Sequence, residues 1–518
     1  MRRKIALIVA AALIFMLVAC GNKDDDKAAD KSYRDTINIA MDVDAQTYNP
    51  VLSNNTTAYR VAELIFNGLV RMDEKLNIVP GLAESWETSE DGCTLTFKLR
   101  EGVKFSDGSD FTSAAVKYTY ESILNEKYNA PYRSRFLAIE GVETPDDHTA
   151  VFKLTTPNTA LLAYLTMGII PEGAMDVKGF DTAPVGTGPY TVENYTLNSL
   201  TVLKARDDYW EGKPATETIN VYIINDNSVR LASLESGDVD FVCSPLTASD
   251  LKLVEGKEGL VMNKVPGLGI TYIGVNSGDP ILKDLEVRKA IAHMVDKETI
   301  SNTIYSDMDT PATSPILSSS WAYDKDLKDY EYDPEKAKSI LDEAGWKDSD
   351  GDGIRDKDGV KLAFTVATHT DDTSRFQVVE YLQNQLKSIG IDTSVSVTEW
   401  ANFSADMTAK KNQIWVAGWL NLYDPDRMYD MFYSESGSNY GNFNDPEVDK
   451  ALLDARLSTD QSERAEKYRY VARAATDNVW YITMLEQAYV SIHSDKLEGY
   501  TVYPSGSIYT MWTAKMGE

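Results

Sequence analysis

Residues 348 to 359 read DSDGDGIRDKDG. Asp348, Asp350 and Asp352 alternate and Gly353 follows, which is how an EF-hand loop opens: carboxylates at every second position converge on calcium. An EF-hand also needs a bidentate Glu at position twelve and a second helix. Position twelve here is Gly359, and VKLAFTVA, residues 360 to 367, alternates as a strand does. The stretch therefore reads as a solvated acidic turn between a helix and a strand. Asp348, Asp350, Asp352 and Asp356 are the carboxylates a calcium ion would use, and its role would be structural.

Other reactive residues form no constellation. His148, His293, His369 and His493 are scattered, and H-E-x-x-H, G-x-S-x-G, P-loop and C-x-x-C motifs are absent from the chain. Carboxylates are too numerous for a glycosidase pair to stand out. Neither an enzyme nor a cofactor is expected. Cys93 and Cys243 lie far apart in strand-like contexts and read as small buried hydrophobes rather than a disulfide. The density of aromatics, Gly, Asn and Asp in AGWLNLYDPDRMYDMFYSESGSNYGNFNDP, residues 417 to 446, suits a ligand pocket with flat walls and a few polar anchors.

The elements that must position such a pocket alternate between strand and helix, an α/β pattern. Strands are expected at 36–40, 95–99, 148–154, 190–195, 272–275, 360–367, 392–398 and 413–419. Helices are expected at 58–70, 229–236, 285–295, 374–389 and 446–457, with another opening at Asp110 or Thr112 and running through Leu124. Asp333-Pro334 starts a further helix with a cap and Pro at its first position, and Gly345 sits where it should end. In VGTGPY, Gly186 and Gly188 are placed for positive φ. With 518 residues the chain exceeds one core, and two or three domains are expected.

The N-terminus sets the compartment. Arg2, Arg3 and Lys4 precede an apolar run, Ile5 to Ala19, shorter than the ~20 residues of a membrane span. Leu17-Val18-Ala19-Cys20 resembles a bacterial lipobox, which would make residues 1–19 a signal peptide and Cys20 a lipidated N-terminus. The polar residues after it cannot bury a core, so 20–34 reads as a tether. The formal net charge of −29 repels phosphate backbones and excludes nucleic-acid binding.

Longer motifs carry a further resemblance. PGLAESW (80–86), the run from Leu95 to Glu121, VGTGPY (185–190), LESGDVDF (234–241), VRKAIAHMVDKETI (287–300), DPEKAKSILDEAGW (333–346), Gly418 to Asp426 and NFNDPEVDKAL (442–452) together resemble the extracytoplasmic solute-binding proteins of peptide/nickel ABC importers. The resemblance covers nearly the whole chain after Cys20. It implies a three-domain, periplasmic-binding-protein-like clamshell with two hinged lobes and an inserted domain. Domain I would be 35–70, 184–275 and 490–518, domain II 71–183, and domain III 276–489, with ligand held between domains I and III. It also implies a monomer outside the cytoplasm, anchored to the cell membrane by Cys20, that passes a small peptide to a permease and ATPase. The other ligand class it implies is a nickel chelate or opine-like metallophore.

Site residues follow by the same route. Peptide-binding members carry an Asp four residues after the Gly of the GW motif, where this chain has Leu422; Asp424 and Asp426 lie close by. Arg375 matches the Arg that takes the peptide carboxylate in dipeptide-type members. Trp419 to Pro425 fits the Trp-x-x-x-Tyr-Asp-Pro of nickel-chelate members, and Arg133 or Arg135 would hold a chelator's carboxylates. Tyr48, Asn49, Tyr423 and Tyr440 complete the expected ligand-binding set.

Overall fold

The computed structural model describes residues 31 to 518 apart from Pro245, Thr247 and Asp371. The expected signal peptide, Cys20 and most of the tether lie outside the described residues. The tether is shorter than expected, because Tyr33–Arg34 is already a strand, paired antiparallel with Lys515–Gly517.

An eleven-stranded sheet runs through both lobes. In the first lobe Thr36–Met41 lies at its centre, parallel to Thr218–Ile223 and Phe241–Val242. Its alternating TINIAM pattern buries Ile37 and Ile39 completely. Leu200–Ala205 and Tyr190–Thr196 extend the sheet antiparallel. In the second lobe Ile414–Trp419, Ala363–His369 and Asp392–Thr398 continue it.

Two long strands join these halves. Leu260–Val275 and Tyr481–Ser494 pair antiparallel along most of their length. The register breaks between Pro266 and Gly269. Pro266 has no N–H to give the ladder. A Cβ on Gly267 would lie 2.7 Å from the Gln487 carbonyl oxygen, so only glycine lets the backbones approach there. The strand expected at 272–275 is thus the end of a much longer one, whose P-G-L-G interruption reads locally as a breaker. Asp309 accepts from the Ala488 N–H at 3.1 Å beside the same break.

The inserted domain is a four-stranded antiparallel sheet in the order Ala83–Thr88, Thr94–Leu99, Thr149–Leu154, Ile139–Asp146. Helix Ser113–Leu124 packs on it through Val116, Tyr120 and Ile123, with the Tyr120 ring edge-on to Phe152 at 5.0 Å. Burying each such large side chain contributes about 2–3 kcal/mol. One hydrophobic cluster runs without interruption from Ile37 and Val221 of the first lobe to Phe97 and Phe152 of the inserted domain. The two therefore share one core. The second lobe centres on two further clusters, one around Trp415 and Tyr468, which Leu76 of the inserted domain joins, and one around Ile291 and Val378.

Helix Thr56–Ile65 carries the residues that matter below. Asn55 caps it, its side-chain oxygen accepting from the Ala58 N–H at 2.9 Å. It ends at Ile65, earlier than the pattern suggested, because Phe66 turns extended. The VGTGPY segment presses on that end, and Gly188 N–H donates to the Ile65 oxygen at 2.8 Å. A Cβ on Gly186 would sit 2.1 Å from the same oxygen. Neither glycine has positive φ. Close approach to the helix, not a left-handed backbone, is why the segment needs them.

Candidate functional site

A cavity of about 320 Å³ opens where the first lobe and inserted domain face the second lobe. Helix Thr56–Ile65 turns Tyr59, Arg60 and Glu63 toward it, residues three and four apart on one helical face. The turn Arg133–Phe136 of the inserted domain adds Arg135, with Tyr132 and Tyr164 beside it. Ser505, Ser507 and Tyr509 of the C-terminal segment close one side, and Asn421 and Tyr423 reach in from the second lobe.

The charges are arranged unequally. The Arg135 guanidinium lies 4.0 Å from the Tyr132 ring centre and 5.4 Å from that of Tyr164. Among the described residues no carboxylate lies within ion-pairing distance of it. Arg60 donates to the Cys243 carbonyl and faces the Tyr489 ring. Arg71 is paired with Glu211 at 2.9 Å. Glu63 is the one carboxylate among the described lining residues. Its Oε2 accepts from the Ser507 hydroxyl at 2.6 Å and from the Ile508 N–H at 3.3 Å. Burial pushes its pKa up to about 7. Burial also pushes the Tyr423 phenol up to about 12, with Glu63, Arg135, Arg60 and Tyr132 around it. No histidine or cysteine appears among the described lining residues, so the cavity offers hydrogen bonds, charges and aromatic walls rather than a nucleophile and base.

Of the expected site residues, Arg135 and Tyr423 come together on this cavity. The others lie elsewhere. Tyr48 is buried, its hydroxyl 2.6 Å from the Thr201 hydroxyl. Asn49 accepts from the Val51 N–H and shapes the turn behind the cavity wall. Arg133 donates to the Leu124 carbonyl at 2.8 Å and pairs with Glu126. Arg375 contacts His369 at 2.9 Å and Asp372 at 3.2 Å, packed against Gly418. Trp419 donates to the Tyr481 hydroxyl at 3.3 Å and stacks with Tyr440. Asp424 is held by Arg464 at 2.8 Å, and burial raises its pKa while Arg464 draws it back. Asp426 takes both prongs of Arg456, at 2.8 and 2.7 Å.

In the acidic turn Asp348, Asp350 and Asp352 converge, but Lys361 sits among them, 2.8 Å from Asp350 and 2.9 Å from Asp352. Asp356 points away and accepts from Ser349. Cys93 and Cys243 are unpaired; Cys243 is buried and Cys93 half-buried. Sequence reasoning missed Glu63 and Arg60. The Asn55 cap and the spacing of Tyr59, Arg60 and Glu63 put them on one helical face, but nothing local says that face meets a cavity.

Residues 77–440 match the model of the bacterial extracellular solute-binding proteins, family 5 Middle. The chain belongs to this family. It is 30% identical to the oligopeptide-binding protein AppA of Bacillus subtilis (strain 168), over 99% of this chain and 100% of AppA. It is 28% identical to the dipeptide-binding protein of Escherichia coli (strain K12), over 89% of this chain and 90% of that protein. The structure of AppA in complex with a nonapeptide superposes with a TM-score of 0.74 at 28% identity, covering 94% of this chain and 100% of that one. NikZ from Campylobacter jejuni, in complex with Ni(L-His), gives 0.75 at 28% identity, covering 93% and 99%. The shared architecture is the two-lobed α/β clamshell of a solute-binding protein of the peptide/nickel ABC-importer class, a carrier and not an enzyme. No helix among the described residues is long and apolar enough to cross a membrane.

Proposed function

We propose that this protein captures a small peptide in the cavity and delivers it to an ABC permease and its ATPase, from a place on the outer face of the membrane held by lipidated Cys20. Arg135 carries the reading. A guanidinium lying on two tyrosine rings with its donors free of any described carboxylate is a ready, bidentate site for a ligand carboxylate. The cavity volume lies at the low end of ligand pockets, ~300–1,000 Å³, and suits a peptide of two or three residues. Similarity to the oligopeptide- and dipeptide-binding proteins supports the same class.

A metal chelate is the second reading. Arg135 also suits a chelator's carboxylates, and NikZ, which resembles this chain throughout, was solved with Ni(L-His). With no histidine or cysteine among the described lining residues, the chelator itself would have to fill the metal's coordination sphere. Calorimetric titration separates the two. An equimolar dipeptide pool is expected to bind the wild type and to bind Arg135→Ala ~30-fold or more weakly, the cost of leaving a buried carboxylate unpaired. Binding of nickel–histidine without binding of the pool would replace the peptide reading with the chelate one.

A further inference from the structure

We propose that Glu63 is the anchor for the ligand's cationic end, so that the cavity selects zwitterions, with the amine on the helix Thr56–Ile65 wall and the carboxylate at Arg135. The inference rests on the peptide reading and assigns the pole that reading leaves open. Glu63 is the one carboxylate among the described lining residues. Every hydrogen bond the structure gives it falls on Oε2, from Ser507 and Ile508. Its Oε1 has no protein partner among the described residues. Arg60, one turn back on the same helix, is not within ion-pairing distance, and its guanidinium is spent on the Cys243 carbonyl and the Tyr489 ring. A half-buried carboxylate with a free oxygen on a cavity wall is an acceptor without a donor, and an ammonium is the donor that both its charge and its lone pairs call for. Tyr423, from the second lobe, has Glu63 and Arg135 among its charged neighbours. A ligand spanning the two poles therefore lies beneath a residue of the opposite lobe, and closing the lobes over it covers both charges.

The same arrangement couples binding to a proton. The groups facing Glu63 are Arg60 from its own helix, Tyr503 and Ser507 from the C-terminal segment, and Tyr423 from the second lobe. Arg60 stays charged, and the tyrosines have pKa values raised above 10 by burial, so across pH 6 to 8 Glu63 is the member of this set that titrates. When empty it holds a proton for much of the time at neutral pH. An ammonium arriving beside it favours the carboxylate. The Glu63 O–H bond breaks, its electron pair stays on the oxygen, the ammonium keeps its three protons, and the released proton goes to solvent. Affinity for an amine-bearing ligand rises as pH rises through 7.

The test is calorimetric titration of the full chain with an equimolar dipeptide pool and with the same pool N-acetylated, at pH 6.0 and 7.5, in two buffers of different protonation enthalpy. The wild type is expected to bind the free-amine pool ~30-fold or more tightly than the acetylated pool and to release up to one proton per ligand. Glu63→Gln keeps an oxygen for Ser507 and is expected to fold, to lose the preference for the free amine, and to release no proton. A wild type that binds both pools equally overturns the assignment of Glu63 and leaves the peptide reading standing. So does a folded Glu63→Gln that keeps both the preference and the proton; Glu63 would then only tether Ser507. A wild type that binds neither pool overturns the peptide reading itself, and this assignment with it.

Discussion

Arg135 lies on two tyrosine rings and gives the cavity its cationic pole. Glu63 is the opposite case: burial raises its pKa from the usual 4.5 to about 7, so solvent conditions set its charge. This has a consequence for stability in the absence of ligand. Between the unfolded and folded values, the folded chain holds a proton that the unfolded chain gives up. Stability from this group is then full below pH ~4.5 and is lost as pH rises through 7, at up to ~1.4 kcal/mol per pH unit. Glu63→Gln removes the effect. Melting temperature measured from pH 5 to 7.5 is expected to fall less steeply in the variant than in the wild type. Parallel curves would show that Glu63 ionises normally in the folded protein.

At the scale of elements, the segment that brings Tyr423 to the cavity is held by charges pointing the other way. Asp424 and Asp426 are clamped by Arg464 and Arg456 on the helices Gln461–Asp477 and Pro446–Leu457, and the Tyr468 hydroxyl adds a third donor to Asp426. Arg456→Ala leaves Asp426 buried with the Tyr468 hydroxyl but without its charged partner, which costs about 3 kcal/mol. A fall of several degrees in melting temperature, together with weaker ligand binding, is expected; an unchanged melt would mean the clamp is not structural. These elements also show what a sequence can tell. The start of helix Pro446–Leu457 was legible because Asp445 caps it and Pro446 opens it. The acidic turn was legible as a turn because a β-alternating segment follows it. The crossing strands were not, since Pro266 to Gly269 looks like a turn unless the opposite strand is known. For the site, the GW segment pointed to Tyr423 and the resemblance to Arg135. Glu63 stayed hidden because a charged residue on a helix face ordinarily means solvent, and only the C-terminal segment folding back across it makes a cavity wall there.

Over the whole molecule, the two lobes share one sheet, the shared part is two strands whose pairing breaks at Pro266, and Leu76 of the inserted domain packs into the second lobe's cluster around Trp415. A bend there would swing the second lobe against the first and slide its cluster past Leu76, a geometry suited to hinge closure around a ligand. On the proposed reading, a ligand seated between Arg135, Glu63 and Tyr423 would touch both lobes and favour the closed arrangement by its differential contacts. Small-angle X-ray scattering is expected to show a smaller radius of gyration when the dipeptide pool is added, and an unchanged profile at saturation would argue against closure by ligand. The cavity is proposed to carry a small peptide held at Arg135. Wild type and Arg135→Ala, purified side by side and denatured, release whatever they carry, and mass spectrometry identifies it. Peptides of two or three residues from the wild type, and far less from Arg135→Ala, are the result expected. A nickel-binding chelator without peptide, or the same peptides in equal amount from both proteins, would contradict it.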